Sequence, residues 1–412
     1  MTSPRLPAPR LPLVVYVLAV GTFLMLTTEF VVAGLLPEIA GDLQVSVAQA
    51  GLLITVFAVG MIVGSPTVAL LTRRMPQRST LVLALAVFAA GHVVVALGSS
   101  FPLLLAARFV TAWATGAFWS VASVVATRAA GPGASSRALG LVGAGGMLAN
   151  VVGVPLGAFA GQLSGWRGPF WALAALALVA IPLIAVHVPR RDGGRAPTSL
   201  RSELAALRSG RLWLVLAACA TTTGGVLSAY SYISPLLTHR AGIAAGLVPL
   251  VLVGFGIGSL IGTVLGGRLG DGHPHATTVA VPAVTTLVLL AVCLLSTHPL
   301  PTVVLVVLLG LVGLSANPVL SSLAVRFAGP APTLGVAMSV SAYNLGTAVG
   351  SGIAGATLSS GLAVTGPAAV GTGIAALTLI PAITVARIQR RRHAGHPTAP
   401  IPGAAVSCCQ AV

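Results

Sequence analysis

The sequence predicts an all-α membrane protein with twelve transmembrane helices in two pseudo-symmetric six-helix bundles. Three observations lead to this prediction. Hydrophobic residues make up 56% of the 412 and charged residues only 7%; the apolar residues fall into twelve long segments; and the arginines gather in alternate loops. A water-soluble domain cannot bury so much apolar surface. The net charge of +16 therefore indicates orientation in a lipid bilayer rather than binding to nucleic acid.

The chain divides into six apolar segments, a polar linker and six more segments. The first half, residues 11–188, has segments at 11–37, 47–71, 80–97, 103–127, 138–162 and 169–188. The arginine-rich linker at 189–211 is followed by the second half, residues 212–388, with segments at 212–237, 244–269, 277–296, 302–325, 333–359 and 364–388. Each is close to or above the ~20 residues that a membrane-spanning helix needs. Residues 1–10 precede the first segment, and a basic, Pro-rich tail follows at 389–412.

The arginines predict the orientation of the chain. Nearly all of them lie in the loops on one side of the predicted membrane, whereas the other side carries only Arg167 and Arg240, with Glu38 and Asp42 after the first segment. Cytoplasmic loops are enriched in basic residues. We therefore expect a multi-pass protein of the cytoplasmic membrane with both termini and the linker in the cytoplasm.

Two opposite charges lie inside apolar segments, at Glu29 in the first and Arg108 in the fourth. Glu29 precedes Pro37 by eight residues and Arg108 follows Pro102 by six, which puts both roughly 9–12 Å below the outer surface at 1.5 Å per residue. An ionisable residue at membrane depth indicates a functional site and needs a partner. We expect the two to pair and to couple transport to protons. The alternative is a structural salt bridge that only locks the bundle.

Proton coupling follows from the chemistry of such a carboxylate. A conformational change that alters its water access, or its distance from Arg108, changes its protonation state. Substrate and proton then compete for one site. The energy source would be the proton gradient, with no cofactor.

Polar and aromatic side chains recur at helical spacing and would line an amphipathic cavity for a small-molecule substrate. Alternatively, the Ser and Thr hydroxyls only satisfy main-chain carbonyls of their own helices. The candidate substrate-binding residues are Thr22, Met25, Thr111, Thr115, Trp119, Asn150, Tyr230, Tyr232, Asn317, Tyr343 and Asn344.

His92, in the third segment, has two open interpretations: a proton relay, or a neutral, hydrogen-bonded core histidine. The other histidines and the four cysteines show no metal-ligand spacing. The sequence has no nucleotide-binding loop, zinc-hydrolase motif or nucleophile elbow. We therefore expect neither a metal site nor an enzyme.

Glycines repeat in matching segments of the two halves. Asn150 is followed by Gly153, Pro155 and Gly157, and Asn344 by a similar glycine series. Small residues at this spacing let helix backbones approach closely. They indicate either packing alone or a two-bundle transporter with its site between the repeats.

Several motifs resemble those of the major facilitator superfamily, in its twelve-span drug:proton antiporter group, close to bacterial chloramphenicol exporters and arabinose-efflux-like permeases. They cover much of the chain between residues 11 and 388. They are TEF at 28–30, GLLPEIA at 34–40, AGLL at 50–53, FAVG at 57–60, Arg108, GVPLG at 153–157, GWR at 165–167, FGIGS at 255–259 and GGRLGD at 266–271.

The resemblance implies alternating access of two bundles and gating residues in the cytoplasmic loops. The implied gating residues are Arg73, Arg74, Arg78, Gly153, Pro155, Gly157, Arg268 and Asp271. One position departs from the family pattern, because Thr72 stands where the family usually has an acid. The gate then depends more on the second copy, with Asp271 and Arg268.

The sequence thus predicts a monomeric, proton-coupled exporter of small amphipathic compounds. The resemblance implies chloramphenicol-type antibiotics or multidrug export, and hence antibiotic resistance. One alternative is a sugar or metabolite exporter on the same scaffold. Another, from a different class, is a non-transporting membrane sensor or assembly protein.

Overall fold

The computed structural model describes residues 11–71, 75–131, 134–189, 208–329 and 332–394. These residues form helices and connecting turns, with no strand among them. The helices are α1 (Leu13–Val31), α2 (Leu36–Asp42), α3 (Val47–Leu71), α4 (Gln77–Leu97), α5 (Phe101–Ala130), α6 (Ser135–Leu148), α7 (Val154–Ser164), α8 (Gly168–His187), α9 (Gly210–Ser231), α10 (Val248–Gly272), α11 (Pro274–Leu295), α12 (Pro299–Gly313), α13 (Asn317–Phe327), α14 (Pro332–Thr357) and α15 (Gly366–Ala394).

Eleven segments of the described chain are long and apolar enough to cross a membrane. One of them runs from α6 through a π-helical turn at Ala149–Gly153 into α7, and another joins α12 to α13. Together with the 26-residue α14, they make the twelve helices that the sequence predicts, six before residue 190 and six after residue 207.

Glycines fix the two halves in the same way. In the first half, α7 packs on α1, with Gly153 against Thr27 and Gly157 against Val31. In the second half, α14 packs on α9, where Gly346 lies against the main-chain oxygen of Ala220. Main chains approach this closely only where one helix lacks side-chain atoms. The fifth helix of each half therefore rests on the first, as expected for two related bundles.

The buried clusters of the described residues include both bundles at one end and separate them at the other. The cluster shared by both halves includes Leu36, Ile54 and Ala158 from the first and Tyr232, Val251 and Ala354 from the second. We call this the closed end. At the other end the apolar cores are separate, one within the first half around Leu18, Phe88 and Ala126, and one within the second around Leu216, Leu323 and Val385. We call this the open end.

The open end carries arginines near the ends of the described helices. Arg78 lies at the start of α4, Arg128 at the end of α5, and Arg326 in the last turn of α13. The closed end carries Asp42 and Arg167, whose side chains form an ion pair. The hydrogen bonds from Arg167 and Trp166 lower the pKa of Asp42.

Substitution of Gly346 tests the glycine packing. A Cβ atom at this position meets the Ala220 carbonyl oxygen, whereas one at Gly373 in α15 meets no atom within 4 Å. We expect Gly346→Ala to lower the unfolding temperature of the purified protein. Gly373→Ala should leave it unchanged or raise it, because alanine favours a helix by ~0.5–1 kcal/mol over glycine. Equal effects of the two substitutions would contradict the packing described.

Candidate functional site

The Arg108 side chain is buried in the first bundle and contacts two neighbouring helices. It lies on α5 with 1% of its surface exposed. Its guanidinium donates to Thr28 Oγ1 on α1 at 2.8 Å, and at 3.5 Å to the main-chain oxygens of Glu29 and Leu53. The Phe57 ring on α3 lies 4.2 Å from the guanidinium carbon. Arg108 thus joins α1, α3 and α5 through neutral oxygens and one aromatic face.

Glu29 lies beside Arg108, but the contact is through its main chain. The sequence predicts direct pairing of the two side chains, whereas the described residues contain no ion pair between them. Successive residues of a helix point about 100° apart, so Thr28 faces Arg108 while the Glu29 side chain points elsewhere. Glu29 is half-buried, and the Arg108 charge acts on its carboxylate at longer range. The carboxylate is therefore free to change its protonation without breaking a direct ion pair.

His92 lies on α4 and is buried against α1 and α8. Its Nδ1 lies 2.7 Å from the Phe88 carbonyl oxygen and its Nε2 lies 2.8 Å from Thr28 Oγ1. The ring packs on Phe88 and Phe170, at centroid distances of 4.0 and 5.9 Å. Of the two interpretations open from the sequence, this geometry matches the hydrogen-bonded core histidine.

The four substrate-binding candidates early in α1 and α5 are buried in this conformation. Thr22, Met25, Thr111 and Thr115 are each at most 1% exposed. The three threonine hydroxyls donate to carbonyl oxygens of their own helices at 2.8–3.0 Å. These hydroxyls therefore match the alternative interpretation from the sequence, in which they only form hydrogen bonds with main-chain carbonyls of their own helices.

Trp119 and Asn150 are half-buried. Asn150 lies in the π-helical turn between α6 and α7, and its main chain packs against Gly256 of α10 in the other bundle. π-Helical turns are frequent at functional sites. Asn150 thus lies where the two bundles touch.

Tyr230 and Tyr232 belong to the closed end. The Tyr230 ring stacks on Phe255 at 4.2 Å and meets Phe30 of the first bundle edge-on at 6.0 Å. The Tyr232 hydroxyl donates to the Ser351 carbonyl oxygen at 3.1 Å. Both tyrosines are buried between the bundles, so a substrate reaches them only when the closed end opens.

The second bundle holds two amide oxygens without hydrogen-bond partners among the described residues. They are Oδ1 of Asn317 and Oδ1 of Asn344, both buried. Asn344 donates to Val340 at 3.0 Å, and Tyr343 donates to the main-chain oxygen of Asn317 at 2.9 Å. A buried amide acceptor normally has a partner. These two oxygens can therefore accept hydrogen bonds from a polar ligand.

The proposed gating residues fall into two groups. Gly153, Pro155 and Gly157 lie in the contact between α7, the π-helical turn and α1. In the second group, Arg78 and Arg268 belong to the open end, where Arg78 is half-buried and Arg268 exposed. Arg73 and Arg74 lie outside the described residues, as does the side chain of Asp271.

Other residues that hold the site together had no individual role predicted from the sequence, although Leu53 and Phe57 lie within the motifs at 50–53 and 57–60. Leu53 contributes only its carbonyl oxygen, and Phe57 is one aromatic residue among many. Thr55 on α3 and Ser351 on α14 join the bundles through a hydrogen bond of 2.8 Å between their hydroxyls. Their partners lie far away along the chain, so sequence spacing does not reveal them.

The fold and these residues agree with the comparison to known proteins. The sequence profile of the Major Facilitator Superfamily matches residues 18–271. The chain belongs to this superfamily. It is therefore a multi-pass membrane transporter, and as such it binds small-molecule substrates within the membrane.

Its relatives include a protein named for chloramphenicol resistance and a protein named for transport. The chain is 36% identical over 361 residues to the "Chloramphenicol resistance protein" of Streptomyces lividans, covering 87% of this chain and 92% of that protein. It is 32% identical over 345 residues to the "Inner membrane transport protein YdhP" of Escherichia coli K12, covering 84% and 88%. A bacterial homolog of the human lysosomal transporter Spinster, solved inward-facing and unoccupied, has the same fold at a TM-score of 0.75 and 15% identity, covering 94% of this chain and 98% of that one.

A disulfide across the closed end tests the contact between α3 and α14. In a chain without its native cysteines, we expect Thr55→Cys with Ser351→Cys to cross-link under mild oxidation, because the two hydroxyls lie 2.8 Å apart. A protease site inserted into residues 189–207 reveals the bond, since cleaved halves stay joined on a non-reducing gel.

The matched control replaces Ser351 by Ser339 as the second cysteine position. Ser339 lies twelve residues earlier on α14, about 18 Å along the helix, and should not cross-link with position 55. Equal cross-linking of both pairs would mean that the bundles do not meet as described.

Proposed function

We propose that the protein is a proton-coupled exporter of small amphipathic compounds, with chloramphenicol-type antibiotics as the leading substrate class. The observation that carries the proposal is the half-buried Glu29 carboxylate beside the buried Arg108 guanidinium in a transporter bundle. A relative at 36% identity is named for chloramphenicol resistance. The proton gradient supplies the energy, and no cofactor takes part.

The coupling rests on how the Arg108 guanidinium is held. Its hydrogen bonds go to neutral oxygens, so the positive charge is not cancelled by a direct ion pair. A substrate that enters near Glu29 changes the water around the carboxylate, and thereby its protonation. Proton release on substrate binding and proton uptake on substrate release then link the two fluxes in opposite directions.

The substrate would lie between the bundles, below the closed end. The second bundle offers the unpartnered oxygens of Asn317 and Asn344, and Trp119 of the first is half-buried. A neutral amphipathic compound with hydroxyl or amide N–H donors fits this surface, because buried acceptors discriminate in favour of ligands that pair with them.

The export direction is taken from the resemblance to drug exporters, whereas the proposed orientation defines which side the described conformation faces. With both termini and the arginine-rich open end in the cytoplasm, the described conformation faces inward and is closed to the outside. The closed end opens when contacts such as Thr55–Ser351 and Phe30–Tyr230 separate. A monomer suffices, since each chain contains both bundles.

Replacement of Glu29 is the primary test. We expect cells expressing the wild type to exclude labelled chloramphenicol, and a protonophore to abolish the exclusion. Glu29→Gln should accumulate drug like cells without the protein, because an amide cannot exchange a proton, while its amount in the membrane stays normal. Asp42→Asn, which removes the carboxylate at the closed end, is the control and should retain exclusion.

Each negative outcome has a distinct meaning. Normal, protonophore-sensitive exclusion by Glu29→Gln would remove Glu29 from the coupling. No exclusion by the wild type would reject the substrate class, and a screen with sugars and other metabolites would then follow. Absence of counterflow with every compound would favour a non-transporting membrane protein.

Replacement of Arg108 tests whether the geometry of its hydrogen bonds matters in addition to its charge. Arg108→Lys keeps the charge but cannot form the same fork to Thr28 Oγ1 and the main-chain oxygens. We expect it to lose most proton-driven efflux, and Arg108→Ala to lose at least as much. Efflux by Arg108→Lys at the wild-type rate would show that charge alone suffices.

A further inference from the structure

A continuous chain of hydrogen bonds runs from Arg108 to the main chain of α4. It passes from the Arg108 guanidinium to Thr28 Oγ1 at 2.8 Å, from Thr28 to His92 Nε2 at 2.8 Å, and from His92 Nδ1 to the Phe88 carbonyl oxygen at 2.7 Å. Thr28, His92 and Arg108 are each at most 1% exposed. This chain of hydrogen bonds therefore lies wholly inside the first bundle.

The chemistry of the two ends fixes the direction of every bond. A carbonyl oxygen only accepts, so His92 Nδ1 carries a hydrogen and donates it to Phe88. A guanidinium only donates, so Thr28 Oγ1 accepts from Arg108. His92 is neutral, because a charged imidazolium is disfavoured when it is buried close to the Arg108 guanidinium. Its one hydrogen is therefore on Nδ1, and Nε2 accepts the hydrogen of the Thr28 hydroxyl. All three links are satisfied in one arrangement of hydrogens.

We infer that His92 is a positioning residue that acts through Thr28 to hold the Arg108 guanidinium beside Glu29. This inference rests on the proposed proton coupling for its consequence, but not for its geometry. Without the acceptor at His92, the Thr28 hydroxyl turns to a carbonyl oxygen of its own helix, as the threonines at 22 and 27 do. Arg108 then loses the oriented acceptor on α1 that keeps it at the Glu29 main chain.

The packing around His92 supports this role over a proton path. Phe88 and Phe170 cover the ring, and the Nδ1 hydrogen ends at a main-chain oxygen that cannot pass it on. A relay needs an exit for the proton, and the described residues provide none beyond Phe88. His92 therefore orients a charge without carrying one.

The hydrogen-bond chain is tested first, without any substrate. Protein labelled with ¹⁵N-histidine has eight histidines, and His92→Gln identifies the His92 signals. We expect the tautomer with hydrogen on Nδ1 and a hydrogen-bonded Nε2. Both Thr28→Val and Arg108→Gln should shift the Nε2 signal, whereas Thr285→Val, which removes an equally buried hydroxyl in α11, should not. A hydrogen on Nε2, or a signal unmoved by Arg108→Gln, overturns the inference.

The functional consequence is tested in proteoliposomes with labelled chloramphenicol. We expect His92→Leu to reduce proton-driven uphill transport about five-fold or more, because the loss of one hydrogen bond costs about 1 kcal/mol. Counterflow should stay within two-fold of the wild type. His92→Gln, whose amide oxygen can accept from Thr28, should restore much of the loss. His187→Leu is the control, because His187 makes the same bond to its own helix at an exposed position.

Parallel loss of both activities, or no rescue by His92→Gln, would show a merely structural histidine. If the wild type does not move chloramphenicol, the proposed substrate fails, and the ¹⁵N spectra alone decide on the positioning of Arg108.

Discussion

The burial of one guanidinium constrains the first bundle more than any other interaction. Arg108 has five N–H donors, and leaving a charged donor without acceptors in a low-dielectric interior is very costly. The bundle meets this need with Thr28 and two main-chain oxygens, and with the face of Phe57. Because these partners belong to α1 and α3, the position of α5 relative to both helices depends on one side chain.

The same arrangement is compatible with the proposed change of charge at Glu29. A carboxylate that directly neutralises a buried arginine cannot be protonated without leaving that arginine unpaired. Here neutral oxygens already satisfy the guanidinium, and Glu29 adds only its carbonyl oxygen. Protonation of its side chain thus leaves the hydrogen bonds of Arg108 intact, which is the condition for a reversible coupling step.

Tight glycine contacts hold the helices of each half together. The two halves are joined to each other by few hydrogen bonds. Within the halves, Gly153 lies against the Thr27 side chain and Gly346 against the Ala220 main-chain oxygen. Between them, the described residues of the closed end combine aromatic packing at Tyr230 with a few hydrogen bonds, such as Thr55–Ser351 and Gln162–Ala245. Units that are rigid inside and joined by few directional bonds move as bodies. This division of contacts matches a transporter whose bundles rock against each other.

The sequence by itself determined the fold class, because the length of an apolar segment is a local property on which membrane insertion depends directly. It also predicted a common depth for the two membrane charges. It also indicated the family through contiguous motifs such as residues 28–40. The tertiary structure decided which atoms meet. In place of the expected Glu29–Arg108 ion pair, Arg108 contacts the Thr28 hydroxyl and the Glu29 main-chain oxygen. Thr28 in turn connects His92 to Arg108. The tertiary structure also put Tyr230 and Tyr232 in the closed end. These outcomes depend on how each helix is rotated about its axis and on contacts between residues 64 to 296 positions apart. The spacing of residues within one segment encodes neither.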